Sequence, residues 1–238
     1  MAEEAVMAVA TADAPAAGRV ALVAGATGLV GQAVLAGLLT DKHYTAVHAV
    51  GRRHLALTHP KLTSDAVDFS NLKSLSGIGH IDDVFITLGT TIKVAGSEAA
   101  FRAVDFDAVL AVARAARQAG ADRLGVVSAM GANPHSSVFY NRVKGEMEVA
   151  LRALQFPVLV IARPSLLTGN RAGLNQSQRF GETLGSLAMH WFKPLIPLNY
   201  QAIPAEQVGQ ALVEAVRDAK NGTHVLLSGQ LRVKPKPT

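Results

Sequence analysis

The segment that most constrains this chain is Arg19 to Gly31, RVALVAGATGLVG. A short apolar run, Arg19 to Ala24, enters three glycines at GxxGxxG spacing. It then continues into the helically spaced apolar residues of Leu29 to Thr40. An apolar run of that length, bounded by a turn, predicts a strand buried on both faces of a parallel sheet. Gly25 permits the tight turn, Gly28 lets a pyrophosphate approach the backbone, and Gly31 lets the helix close on the strand. The N–H groups of the turn and of the first helical residues would face the phosphates. The turn residues Gly25, Thr27, Gly28, Leu29 and Val30 are therefore the first candidate cofactor contacts.

The same alternation of strand and helix recurs. Strands are predicted at Ala46 to Val50, Ala66 to Phe69, Asp83 to Leu88, Arg123 to Ser128, Phe156 to Ala162 and His224 to Leu227. Helices are predicted at Glu98 to Ala119, Phe139 to Leu154 and Ala205 to Ala219. Such a chain builds a Rossmann-type α/β fold, a doubly wound parallel sheet with helices on both faces. We expect a flexible N-terminal extension over 1–18 and a single NAD(P)-binding domain over 19–238. A small C-terminal substrate lobe is expected, drawn mainly from 169–203.

The residues after the second strand bear on the choice of cofactor. An acid there would bind the ribose 2′-hydroxyl of NAD, whereas arginine accommodates a 2′-phosphate. This chain reads Val50-Gly51-Arg52-Arg53 with no acid nearby. Guanidinium groups donate to phosphate in pairs, so NADP(H) is expected, with Arg52 and then Arg53 as its readers. The alternative is a pair of solvated arginines. Asp68, beside Phe69, is a candidate for the adenine amino group or, equally, a loop cap.

Tyr140 and Lys144 lie four apart in a helical pattern and so share one face. An ammonium beside a phenol favours the phenolate. A phenol poised in this way can serve as general acid or base to an alcohol or carbonyl. Ser128 ends the fifth main strand, at the sheet edge where open α/β folds place ligands. Ser128, Tyr140 and Lys144 are the candidate catalytic set.

These segments together resemble the short-chain dehydrogenase/reductase superfamily, in particular its atypical, Tat-interacting-protein-like branch. The resemblance runs through GATGLVG at 25–31, Leu88-Gly89-Thr90-Thr91, Val104-Asp105, Ser128 to Ala132, Phe139 to Glu146 and Arg163-Pro164-Ser165. It implies that Tyr140 handles the proton and that Lys144 holds the nicotinamide ribose. It further implies that Ser128 positions the substrate oxygen. Leu88, Gly89 and Thr90 would line the adenosine and ribose side, and Pro164 to Leu166 the nicotinamide. The expected activity is NADP(H)-dependent oxidoreduction of a small carbonyl or alcohol of unknown identity. The alternative is a non-catalytic NADP(H)-binding regulatory or redox-sensing protein. Two features depart from the commonest members: GxxGxxG replaces GxxxGxG, and the relay asparagine of many relatives has no clear counterpart.

Composition narrows the remaining classes. The chain has no cysteine, which excludes disulfides, thiolate metal sites and a cysteine nucleophile. Eight histidines include none at metal-ligand spacing such as HxxxH, so no metal is expected. The net charge of +5 is scattered without an aromatic platform, so no nucleic-acid partner is expected. No apolar run reaches the ~18 residues of a membrane helix, and the first residues lack a signal-peptide pattern. A cytoplasmic monomer or homodimer is the expectation.

Overall fold

The computed structural model describes residues 18–75, 77–169 and 197–232. The predicted N-terminal extension and most of the predicted substrate lobe therefore lie outside the described residues. So do Phe180, Trp191 and Phe192, which the sequence suggests as core of that lobe.

The elements alternate as the sequence implies. The chain runs β1 (Arg19–Ala24), α1 (Leu29–Thr40), β2 (Tyr44–Gly51), β3 (Leu62–Ala66), β4 (Asp83–Ile86) and α2 (Ile92–Ala95). Next come α3 (Glu98–Arg102), a π-helical segment (Ala103–Ala108), α4 (Val109–Gln118), β5 (Arg123–Val127) and α5 (Phe139–Arg152). The described chain closes with β6 (Val158–Arg163), β7 (Leu167–Thr168), β8 (Ile203–Pro204), α6 (Ala205–Asp218) and β9 (Gly222–Leu227). The main sheet has seven strands, ordered β3-β2-β1-β4-β5-β6-β9, with every pair parallel. β7 and β8 form a separate parallel pair.

Successive residues of β1 face opposite layers. Ala21 and Val23 pack with Val34, Leu38, Val208 and Leu212 of α1 and α6. Leu22 and Ala24 pack with Val112, Ala116, Met147 and Leu151 of α4 and α5. One strand thus serves two cores, which explains its unbroken apolar run.

Two predicted elements differ. The third strand ends at Ala66, because its ladder to β2 runs from Val47↔Leu62 to Gly51↔Ala66 and stops there. Asp68 lies beyond it and caps a turn. The predicted helix from Glu98 to Ala119 is interrupted by the π-helical segment. Phe101, Asp105 and Val109 are all buried and lie four residues apart. An α-helix drifts about 40° over each such step, and a locally wider turn reduces that drift. Tertiary packing therefore selects the irregularity, which no local propensity signals.

Candidate active site

The chain order reverses between β1 and β4, the switch point at which open α/β sheets leave a crevice. A cleft of about 360 Å³ opens there, beyond the carboxyl ends of the strands. Its walls are Gly28 to Val30, Thr87 to Thr91, Val127 to Met130, Tyr140 with Lys144, and Pro164 to Leu167, with Val94 and Asp105.

The phosphate-side wall follows from three close approaches. Gly25 has φ +93°, and a Cβ there would lie 2.8 Å from the Thr87 carbonyl carbon. A Cβ on Gly31 would lie 2.0 Å from Gly25 O. Thr87 Oγ1 reaches Ala24 O at 3.0 Å and Gly25 O at 3.1 Å, tying the turn to the end of β4. Gly28 offers no side chain to cap α1, so the first-turn N–H groups, those of Leu29 and Val30 included, are left for an anionic ligand. A side chain at Gly25 or Gly31 would fill the space that the turn needs. These residues fit a dinucleotide's pyrophosphate.

Arg52 and Arg53 follow β2 and are exposed, and neither has a protein partner among the described residues. They are not part of the cleft wall. Asp68 is committed to its own turn, accepting from Ser70 N at 3.0 Å, Ser70 Oγ at 2.6 Å and Asn71 Nδ2 at 2.6 Å. The Ser70 hydroxyl, the Asn71 amide and the Ser70 N–H together hold its carboxyl below the ordinary range. Phe69 packs against the α4–α5 core. The structure thus brings Gly28, Leu29, Val30, Leu88, Gly89, Thr90, Ser128, Tyr140, Lys144, Pro164 and Leu166 to one cleft. Gly25, Thr27, Arg52, Arg53, Asp68 and Phe69 do not line it.

Tyr140 stands on the first turn of α5, its ring 5.5 Å from that of the fully buried Phe101 of α3. Lys144 sits one turn further in and is buried. Its Nζ lies 2.7 Å from Asp105 Oδ1. Asp105 Oδ2 accepts the Thr90 N–H at 2.8 Å. Asp105 lines the cleft and pairs with Lys144, a placement that the sequence motifs do not assign. The Val104-Asp105 pair was its only sequence signal, and the helix carrying it runs far from Lys144 in the chain.

The Ser128 hydroxyl donates to Glu148 Oε1 at 2.6 Å, and both groups are buried. Glu148 also receives Arg163 Nε at 2.9 Å and Nη2 at 2.6 Å. The Glu148 carboxylate, through its hydrogen bonds and charge, raises the Arg163 guanidinium against the opposing effect of burial. While its O–H donates to Glu148, Ser128 Oγ keeps lone pairs that can accept a hydrogen bond.

This architecture is the fold of the short-chain dehydrogenase/reductase proteins. The NAD(P)H-binding family model matches residues 25–219, and the chain belongs to that family. Within it, the curated relatives similar to this chain include FMP52 and HTATIP2 proteins. Protein FMP52, mitochondrial, of Eremothecium gossypii is 32% identical over 217 residues, covering 89% of this chain and 95% of that protein. Protein HTATIP2 of Rattus norvegicus is 31% identical over 217 residues, covering 87% and 85%. Among solved structures, a short chain dehydrogenase family protein from Francisella tularensis superposes with TM-score 0.64 at 14% identity, covering 90% of this chain and 99% of that one. MoeE5 in complex with UDP-glucose and NAD gives TM-score 0.65 at 19% identity, covering 88% and 75%. The expected cytoplasmic location is corrected by these relatives, since the FMP52 proteins are named as mitochondrial. A location is carried by targeting, to which a fold-level reading is blind. No helix among the described residues is long and apolar enough to cross a membrane.

Proposed function

We propose that the chain is an NADP(H)-dependent oxidoreductase acting on a small carbonyl or alcohol. The observation that carries this reading is the single cleft shared by the glycine turn and by Tyr140 with Lys144. The turn and the first N–H groups of α1 would hold the pyrophosphate. Arg52 and Arg53, exposed just past β2 and without a protein partner among the described residues, would take the 2′-phosphate. Leu88 to Thr90 and Pro164 to Leu166 would flank the rest of the dinucleotide. The bound cofactor supplies hydride. Tyr140 gives the proton to a substrate oxygen or takes it away, and Lys144 anchors the cofactor's ribose beside it. Val94, Met130 and Leu167 present apolar surface that would exclude water from the reacting face. The substrate lobe over 169–203 remains part of this proposal.

The test is turnover followed by NADPH absorbance across a panel of carbonyls and alcohols. Tyr140→Phe is expected to keep NADPH affinity within about twofold and to lose at least 10²-fold in kcat. Equal kcat in the variant would remove Tyr140 from its role.

The second reading, a non-catalytic NADP(H)-binding regulator, is favoured by one observation. The Ser128 hydroxyl donates to the buried Glu148 carboxylate and not into the cleft. Tight NADPH binding without turnover on the whole panel would decide for this reading.

A further inference from the structure

The buried partner of Lys144 is a carboxylate, and that alters what Tyr140 experiences. Lys144 Nζ and Asp105 Oδ1 are 2.7 Å apart, with side chains 4% and 1% exposed. At that separation the Asp105 carboxylate offsets much of the field that the Lys144 ammonium would exert on Tyr140, which lines the same cleft. The second carboxylate oxygen is held by the Thr90 N–H, which fixes Asp105 against the loop that lines the cleft. The π-helical segment carrying Asp105 is itself an irregularity of a kind that clusters at functional sites.

We infer that Asp105 is a positioning residue that neutralises the Lys144 ammonium and thereby sets the pH at which the Tyr140 phenol ionises. The inference rests on reading Tyr140 as the proton-handling group. It turns the simple expectation for a tyrosine and lysine on one helix face into a three-group arrangement. Of the other charges on the elements around Tyr140, Glu98 of α3 and Asp107 of the π-helical segment are exposed. Arg102 of α3 pairs with Glu146 of α5. Arg142 of α5 donates to Ser136 O and lies 5.5 Å from the Phe139 ring centroid. His135, in the loop before α5, is exposed. Besides Tyr140 itself, Asp105 and Lys144 are the described residues lining the cleft that carry ionisable acidic or basic groups.

The test needs neither substrate nor turnover. The chain has three tyrosines, so phenolate absorbance near 295 nm is titrated in the intact protein, with Tyr140→Phe subtracted in each background. Asp105→Asn leaves the ammonium uncompensated, and Tyr140 is expected to ionise about one to two pH units lower than in the parent. Asp105→Asn/Lys144→Met removes both charges and is expected to return the midpoint to within about half a pH unit of the parent. A midpoint in Asp105→Asn equal to or above the parent's overturns the inference. If Asp105→Asn does not fold, the uncharged double variant decides alone. A midpoint equal to the parent's supports neutralisation, and one clearly above it shows that Lys144 acts uncompensated. An enzyme that proves to lack turnover would fail the functional reading while leaving this titration intact.

Discussion

Arg52 and Arg53 are exposed and have no protein partner among the described residues, so both are free to meet a ligand. Arg52→Ala is expected to weaken NADPH binding at least tenfold while changing NADH binding less than about threefold, since a paired phosphate contact is worth about 1.5–3 kcal/mol. Fluorescence titration with both cofactors checks this, and equal losses for the two would remove the 2′-phosphate assignment. The glycines, Tyr140 and Lys144 were legible from spacing, because strand, turn and helix periodicity decide which way they point. Asp105 and Glu148 were not. Each acts through a partner on another element, 39 positions away for Asp105 and Lys144, and local periodicity carries no information at that range. Ser128 was legible as a strand-end residue, yet the destination of its hydroxyl depended on Glu148.

Among the elements, α5 does the most to join the site to the core. Its buried face carries Lys144 towards Asp105 and Glu148 towards both Ser128 and Arg163, and so ties the ends of β5 and β6 together. Glu148→Ala would leave the Ser128 hydroxyl without its acceptor and Arg163 without its counter-ion. The expected cost is about 3 kcal/mol of unfolding free energy, read from urea denaturation. A change under ~1 kcal/mol would mean that solvent replaces the network. The helix from Glu98 onwards shows the limit of reading an element from its composition. Its alanine-rich pattern correctly indicates helix, but the π-helical segment comes from burying Phe101, Asp105 and Val109 together.

The molecule as a whole carries acid-labile groups on the faces away from the cleft. Burial lowers the His48 imidazole below its ordinary value, and Asp65, 4.0 Å away, acts against that shift. Its folded-state value is depressed, so the contribution is complete above the unfolded value of about 6.5 and is lost as pH falls through the folded one. Partial burial raises Asp41, but hydrogen bonds from His43 and Arg217 outweigh it and hold the carboxyl low. Asp218 is likewise held low by Arg217. Stability should therefore fall in two stages on acidification, first below about pH 6.5 and then below about pH 4. His48→Gln is expected to flatten the first stage, measured as the difference in urea midpoint between pH 7.5 and pH 5.5. An unchanged difference would exclude His48 as its source. By itself the sequence determined the Rossmann-type layering, the glycine turn and the helix face shared by Tyr140 and Lys144. All three arise from local periodicity and backbone sterics acting within about 20 residues. Only the tertiary structure decided that Lys144 is paired with Asp105 and that Ser128 serves Glu148. Which donor meets which buried acceptor is settled by packing between distant segments, where an unpaired polar group costs too much to leave.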